Sequence, residues 1–344
     1  MEHKLQKTWV ILLTVLVIAG IVGGVAYSYS SREILGKIAG TTISSNEFIF
    51  VLKQVINRSE KMMLPNGATE EERKTLWNSE VEGKKFSEKM EEIALEEVKK
   101  YKIQLIKADK ANIELTKEEK DKNRKEIDQM IEKLGGRVSA NDRILTVYGI
   151  PTSEYRKIRE KISLISKYME FEKSKLKASD EEILDYYNKN YENDEKVTVR
   201  HILLSTKDSS NKDLPADKIE EQRIKADEVL EKIKNGEDIE KLVKEYSDDM
   251  VSVNTKGQYT FEKGNMVPEF EGWAFNNAPG NYGIVKTEYG FHVIVKPTFE
   301  ELKDEVKDLV LNTKYEELLK EWAELPEYEI VVNQKALKHV RNII

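Results

Sequence analysis

From Trp9 to Ala26 the chain reads WVILLTVLVIAGIVGGVA, 18 residues without a charge, close to the roughly 20 that a helix needs to cross a bilayer. Tyr27 and Tyr29 extend the run into the interface, so residues 9–29 form the candidate span. Lys4 and Lys7 precede it and only Glu2 opposes them. That asymmetry places the N-terminus in the cytoplasm and everything after Ser30 on the extracytoplasmic side, as a single-pass protein of the cell membrane. Gly24 and Ala26 offer a small-residue cleavage site, but the apolar part of a signal peptide runs only about 7 to 15 residues. The length favours an uncleaved anchor.

The remaining chain must fold in water. With 344 residues in all, about two domains are expected. Acidic residues outnumber basic ones for a formal charge of -7, with 35% of residues charged, which argues against a nucleic-acid partner. The absence of cysteine excludes disulfides, thiolate metal sites, a cysteine nucleophile and a lipid-modified N-terminal cysteine. Imidazole chemistry is restricted to His3, His201, His292 and His339.

Residues 34–43, ILGKIAGTTI, predict a strand, a Gly-centred turn and a second extended piece. Ser44 with Glu47, Thr69 with Glu72, Thr116 with Glu119 and Ser179 with Glu182 share the spacing of a capping box, in which each side chain satisfies a free amide of the first turn. The region up to Tyr187 therefore reads as a series of capped helices with no strand between them. Phe86, Met90, Ile93, Ala94, Val98, Tyr101 and Leu105 make one apolar stripe, and Tyr155, Ile158, Ile162, Ile165 and Met169 another. Such stripes are helix-packing faces, and the Lys/Glu runs between them are solvated faces.

The texture changes at Lys196. VTVRHILLS (197–205) alternates like a strand, a helix reaches Lys234 with Gly236 to cap it, and Asp238 to Tyr246 forms a shorter helix. Glycines and prolines then mark turns between strands, and FHVIVK closes the unit. Beyond Pro297 the stripe Leu302, Val306, Leu309, Val310 and Thr313 predicts a helix continuing to Trp322, with a short strand EIVV after Pro326.

Four ordered blocks, VRHILL, KEYSDD, KGNMVPEFEGWAF and KTEYGFHVI, resemble the parvulin-type peptidyl-prolyl isomerase domain across residues 196–297. KIAGTTISSNEF resembles the N-terminal signature of extracytoplasmic foldases of the PrsA and SurA type. The resemblance implies an α+β protein. Residues 1–30 would be a cytoplasmic stub and transmembrane anchor. Residues 31–195 and 298–344 would build one mainly helical chaperone domain, with the isomerase domain of 196–297 inserted in it. Ile330, Val331 and Val332 are then expected to pair with the N-terminal segment near Ile38.

The resemblance also implies a site. His201 and His292 match its two histidines, Asp249 a position that is cysteine in some members and aspartate in many bacterial ones, and Thr287 the hydroxyl residue beside the second histidine. Met266 and Phe270 match the apolar floor that holds the proline ring. Where the family has GG-x-LG the chain has Lys256-Gly257-Gln258-Tyr259. This puts Gln258 at a leucine position that lines the proline pocket, and Trp273 replaces a small residue after Phe270.

Taken alone, His201 on its strand face reads as a satisfied core histidine, Met266 and Phe270 read equally as core, and Asp249 as a turn or helix end. The pairing with His292 in family order favours a shared site. No predicted helix carries a His/Asp/Glu pair backed by a third ligand, so no metal site is expected, and isomerisation calls for no cofactor. The loop STKDSSNKDLPADK lacks an arginine cluster, so recognition of a phosphorylated residue before proline is not supported. The expected partners are unfolded or newly exported polypeptides containing proline, with a homodimer left open. The expected function is a membrane-anchored foldase that isomerises X-Pro bonds. Its rivals are a holdase using a degenerate parvulin domain to bind clients, and a structural or signalling membrane protein whose helices dock partners.

Overall fold

Residues 33–65, 67–193 and 195–341 are described by the computed structural model. The candidate span at 9–29 and the stub before it lie outside them. Among the described residues no helix is long and apolar enough to cross a membrane. The chain divides into two compact units: one takes the chain up to Lys175 and again from Tyr315, the other Leu176–Lys314.

The first unit begins with the antiparallel pair β1 (Ile34–Ile38) and β2 (Thr41–Ser44), joined by Ala39 and Gly40 at φ 45° and 78°. Both positive φ values suit the tight hairpin turn that strand twist favours. Ser44 then caps α1 (Ser45–Met63), accepting from the Glu47 amide while the Glu47 carboxylate accepts from the Ser44 amide. The pairs at Thr69, Thr116 and Ser179 close the same box. The helical series is nonetheless interrupted, contrary to expectation. Glu80–Val81 and Lys84–Lys85 form a short hairpin (β3, β4) through Glu82 and Gly83, both at positive φ. Two-residue strands are too short to show alternation in sequence.

The long helices Phe86–Lys110 and Thr152–Lys173 bury Phe86, Met90, Ala94, Val98, Tyr155 and Ile158, as their stripes predict. Between them sits a buried ion cluster: Glu47, 4% exposed, accepts from Lys102 Nζ at 3.3 Å and Lys161 Nζ at 2.8 Å. Burial would raise the Glu47 pKa, but the two ammonium groups and the Ser44 amide outweigh it and hold the carboxyl below its usual range.

The chain's end returns to this unit. Val331–Val332 (β9) pairs antiparallel with β1, Gly36 opposite Val332 and Lys37 opposite Val331, at the edge of a sheet ordered β2-β1-β9. A Cβ at Gly36 would sit 2.7 Å from the Val331 carbonyl oxygen, so only glycine permits this approach. In the helix Phe299–Ala323, Tyr315 donates its hydroxyl to Gln104 Oε1 at 2.8 Å, and Lys107 lies over the Trp322 ring.

The second unit is built on an antiparallel sheet of order β6-β5-β8-β7: β5 (Lys196–Ser205), β6 (Gln258–Glu262), β7 (Tyr282–Lys286) and β8 (Gly290–Val295). Side chains alternate between its faces. Ile202, Leu204, Phe291 and Val293 bury against the helices Ala216–Lys234 and Ile239–Tyr246. Val197, Val199, Phe261 and Ile294 bury against the helix Pro268–Asn276. The unit reaches beyond residues 196–297 on both sides because Ile183, Tyr187 and Tyr191 bury against Leu302, Val306 and Val310.

Truncation after Pro297 removes Tyr315, Leu319, Tyr328 and Leu337, each at most 3% exposed, from the first unit. Apolar burial is worth roughly 1.5–3 kcal/mol per such side chain, so their joint loss approaches the 5–15 kcal/mol that stabilises a typical domain. Circular dichroism should find the truncated chain's helices melting well below those of the intact chain. Coincident melting curves would contradict the closure.

Candidate active site

Strand parity decides which residues can meet. On β5, Val197, Val199 and His201 share a face, and on β8 so do His292 and Ile294. Since His201 pairs with Ile294 and Leu203 with His292, the two histidines are diagonal neighbours on the face covered by Pro268–Asn276. Pro268 opens that helix at its first position, where a missing amide costs nothing, and one turn brings Phe270 onto both rings. Its ring centroid lies 5.3 Å from His201 and 5.2 Å from His292, near perpendicular to each. Below His201, Gly257 provides space and accepts a hydrogen bond. Its carbonyl accepts the His201 amide at 2.9 Å, and its φ of 82° and contacts with Val243 and the His201 backbone leave no room for a Cβ.

His201 Nδ1 and His292 Nδ1 are 3.2 Å apart, and His292 Nε2 is 2.8 Å from Thr287 Oγ1. His201 Nε2 lies 3.3 Å from Asp249 Oδ2, off the line of an aligned hydrogen bond. Asp249 caps the short helix Met250–Asn254, its Oδ1 accepting the Val251 amide at 2.9 Å. The histidines are 4% and 6% exposed, which puts them out of reach of bulk water.

Electrostatics and bonding fix the proton positions together. Burial, reinforced by His201, lowers the His292 pKa to about 3, so this ring is neutral and carries one N–H. The His201 contact, then Tyr259 and the backbone amides of the helix start, hold Asp249 well below the usual carboxylate range. An ionised carboxylate only accepts, so the favoured arrangement turns a His201 Nε2–H toward it. His201 Nδ1 is then an acceptor, His292 Nδ1–H donates to it, and His292 Nε2 accepts from Thr287. The Thr287 hydroxyl is free to donate because it already accepts the Tyr289 amide at 3.1 Å. One proton per link satisfies the relay Thr287, His292, His201, Asp249. The reverse arrangement would set a nitrogen lone pair against the carboxylate.

The relay borders a cavity of about 370 Å³ lined by His201, Leu203, Asp249, Tyr259, Asn265, Met266, Val267, Phe270, Tyr289 and His292. Six of the seven residues that sequence reasoning assigned thus gather here: five on the wall, with Thr287 behind His292. Gln258 does not. Adjacent strand residues face opposite ways, and Gln258 lies on the other side of β6, where its Nε2 donates to Glu305 Oε1 at 2.9 Å. The wall position belongs to Tyr259, which sequence reasoning passed over. Its alternation with Phe261 was the available signal. Trp273 does not line the cavity and packs over Gly283 on β7. Among the described residues no cluster of His, Asp or Glu could hold a metal ion.

A family model described as the PPIC-type PPIase domain matches residues 182–296. A foldase protein PrsA of Caldanaerobacter subterraneus subsp. tengcongensis is 28% identical over 321 residues, which cover 91% of this chain and 89% of the relative. A foldase protein PrsA of Geobacillus sp. strain WCH70 is 35% identical over 147 residues, 40% of this chain and 46% of that relative, so the match spans under half of it. Among solved structures, PrsA from Bacillus subtilis is 24% identical and aligns over 74% of this chain and 84% of its own, with a TM-score of 0.38.

The neutrality of His292 has a thermodynamic signature. An unfolded histidine takes a proton near its ordinary 6.5, while the folded one resists to about 3. Between these values the unfolded chain binds more protons, and stability falls on acidification. Asp249, with its pKa depressed, adds its own loss only below about pH 4. Protection of the Ile202 and Val293 amides against hydrogen exchange should therefore drop between pH 7 and pH 5, by up to about tenfold per pH unit below 6.5. His292→Leu should flatten that dependence, and an unchanged slope would contradict a neutral, buried His292. Residues 182–296 carry a PPIC-type, parvulin-class peptidyl-prolyl isomerase domain, in a chain homologous to the PrsA foldases.

Proposed function

We propose that the protein is a membrane-anchored foldase that binds unfolded exported polypeptides and catalyses cis–trans isomerisation of their X-Pro bonds. The observation that carries this reading is the junction of an apolar floor, Met266 and Phe270, with a buried relay ending in the Asp249 carboxylate on the wall of one cavity.

Rotation about an amide is slow because it breaks resonance, at a barrier of about 18–20 kcal/mol, yet no covalent bond has to form. The task is to favour the twisted amide over both planar forms. Resonance in the planar amide places negative charge on the carbonyl oxygen. A carboxylate fixed near that oxygen disfavours the charge-separated form, while the twisted amide has less charge there to repel. A dry floor for the proline ring strengthens the effect by excluding water. In this scheme His201, His292 and Thr287 hold Asp249 ionised and in place, Met266 and Phe270 seat the ring, and no proton leaves the substrate. Gln258 has no part in seating it, which removes the reason to suspect a degenerate pocket.

Client binding falls to the helical first unit, whose long helices carry exposed apolar side chains such as Met62, Met63 and Val138 that an unfolded chain could contact. The isomerase is best read as an insertion in that unit, whose chain leaves at Lys175 and resumes at Tyr315. The uncharged run at 9–29, with Lys4 and Lys7 before it, supports an anchor with the ectodomain outside the cytoplasm, and the foldase names of the relatives agree with an acceptor of unfolded chains.

A coupled isomerisation assay of the full-length chain on an X-Pro peptide tests the enzymatic claim. His292→Ala and Met266→Ala should each lower kcat/KM, roughly tenfold, the equivalent of about 1.4 kcal/mol, while Gln258→Leu leaves it unchanged. Wild-type rates in both alanine variants would show the site to be elsewhere. No turnover by the wild type, together with slowed aggregation of an unfolded client, would establish the holdase instead.

A further inference from the structure

Asp249 Oδ2 has two neighbours, the Tyr259 hydroxyl at 3.0 Å and His201 Nε2 at 3.3 Å. Only the tyrosine makes an aligned hydrogen bond, since His201 Nε2 has no partner in good geometry. The other carboxylate oxygen is held by backbone amides at the helix start, about which the group could turn toward water through its 20% exposed side. Tyr259 also touches the other end of this contact: its ring meets that of His201 edge on, with centroids 5.0 Å apart. Its place is set by register, because Tyr259 pairs with Val199, two residues from His201 on the same face of β5.

From this geometry we infer that Tyr259 is a positioning residue: its hydroxyl locks the Asp249 carboxylate against His201 and thereby holds the histidine pair in a single tautomer. Most of the conformational choice left to the carboxylate is removed by this one bond. A donor is needed at every working pH, and Tyr259 supplies it, because burial and then Asp249 push the phenol up to about 12. The titratable groups facing the carboxylate are His201 on β5, Tyr259 on β6 and, one ring further, His292 on β8. Neither histidine offers Oδ2 a second aligned bond, so no side chain replaces the hydroxyl when it is removed and the carboxylate turns to water. The phenol ring has a separate job as cavity wall. Tyr259→Phe removes the first role and keeps the second, whereas Tyr259→Ala removes both.

The effect on turnover rests on the isomerase reading above, but the tautomer does not. The test uses full-length protein labelled with ¹⁵N-histidine at neutral pH, with the His201 and His292 signals assigned through single substitutions. The wild type should show His201 protonated at Nε2 and His292 at Nδ1. Tyr259→Phe should show a mixture of tautomers in His201, and Asp249→Asn should show the same. In the isomerisation assay Tyr259→Phe should lower kcat roughly threefold to tenfold, the scale of the net contribution of one ordinary hydrogen bond, with KM little changed. Added to Asp249→Asn it should cost nothing further, because both act through one carboxylate. A single Nε2–H tautomer in Tyr259→Phe, or a loss confined to KM and to Tyr259→Ala, would overturn the proposal and leave the residue a wall. If the wild type has no turnover, the isomerase reading fails, and the tautomer result alone supports or overturns the positioning role.

Discussion

Two imidazoles 3.2 Å apart beneath a sheet and a helix, with almost no access to water, make the site's chemistry depend on neutrality. His292 resists a charge there: desolvation opposes it, and His201 beside it adds to the cost. It therefore keeps a single N–H, and direction along the chain of bonds has to come from its ends. At one end Asp249 accepts. At the other, the Thr287 oxygen accepts the Tyr289 amide and its one O–H is left to donate to His292 Nε2. Changing either end reverses or scrambles the middle, so the strand register, the helix cap at Asp249 and the turn at Thr287 are parts of one device.

The helical unit relies on a comparable concentration of polar groups at a single point. Glu47 completes a helix cap and also receives Lys102 and Lys161 where little water reaches. Removing Glu47 would leave the buried Lys102 ammonium without its carboxylate, a loss that typically costs about 3–5 kcal/mol, while a well-packed apolar replacement of the whole set can be neutral. Its value is specificity. Three separate segments must arrive in one arrangement before the carboxylate is satisfied. The return of the chain at Val331 to pair with β1 adds a second long-range closure to the same unit.

Local signals were legible in the sequence and partnerships across distance mostly were not. Four capping boxes stood out because each is complete within four residues. The strand at 196–205 and the helix stripes followed from periodicity, and the two histidines fell on strand faces that parity alone brings together. The hairpin at 80–85 escaped because two residues cannot display a period and Glu82-Gly83 is a weaker turn signal than Asn-Gly. Gln258 and Tyr259 differ by one position, yet a strand turns them to opposite faces, so an assignment by motif went to the residue facing Glu305. Glu47 could be read as a cap but not as the partner of Lys102 and Lys161, which lie 55 and 114 positions away.

The central claim, that a neutral His292 stands in a relay aimed at a fixed carboxylate, is tested most directly by titrating the imidazoles of the wild-type protein by ¹⁵N NMR from pH 8 to pH 4. The structure requires His292 to keep one tautomer throughout, since its pKa is lowered to about 3. A His292 resonance that takes up a proton near the ordinary 6.5 would show a ring open to water and free to charge, and would contradict the relay.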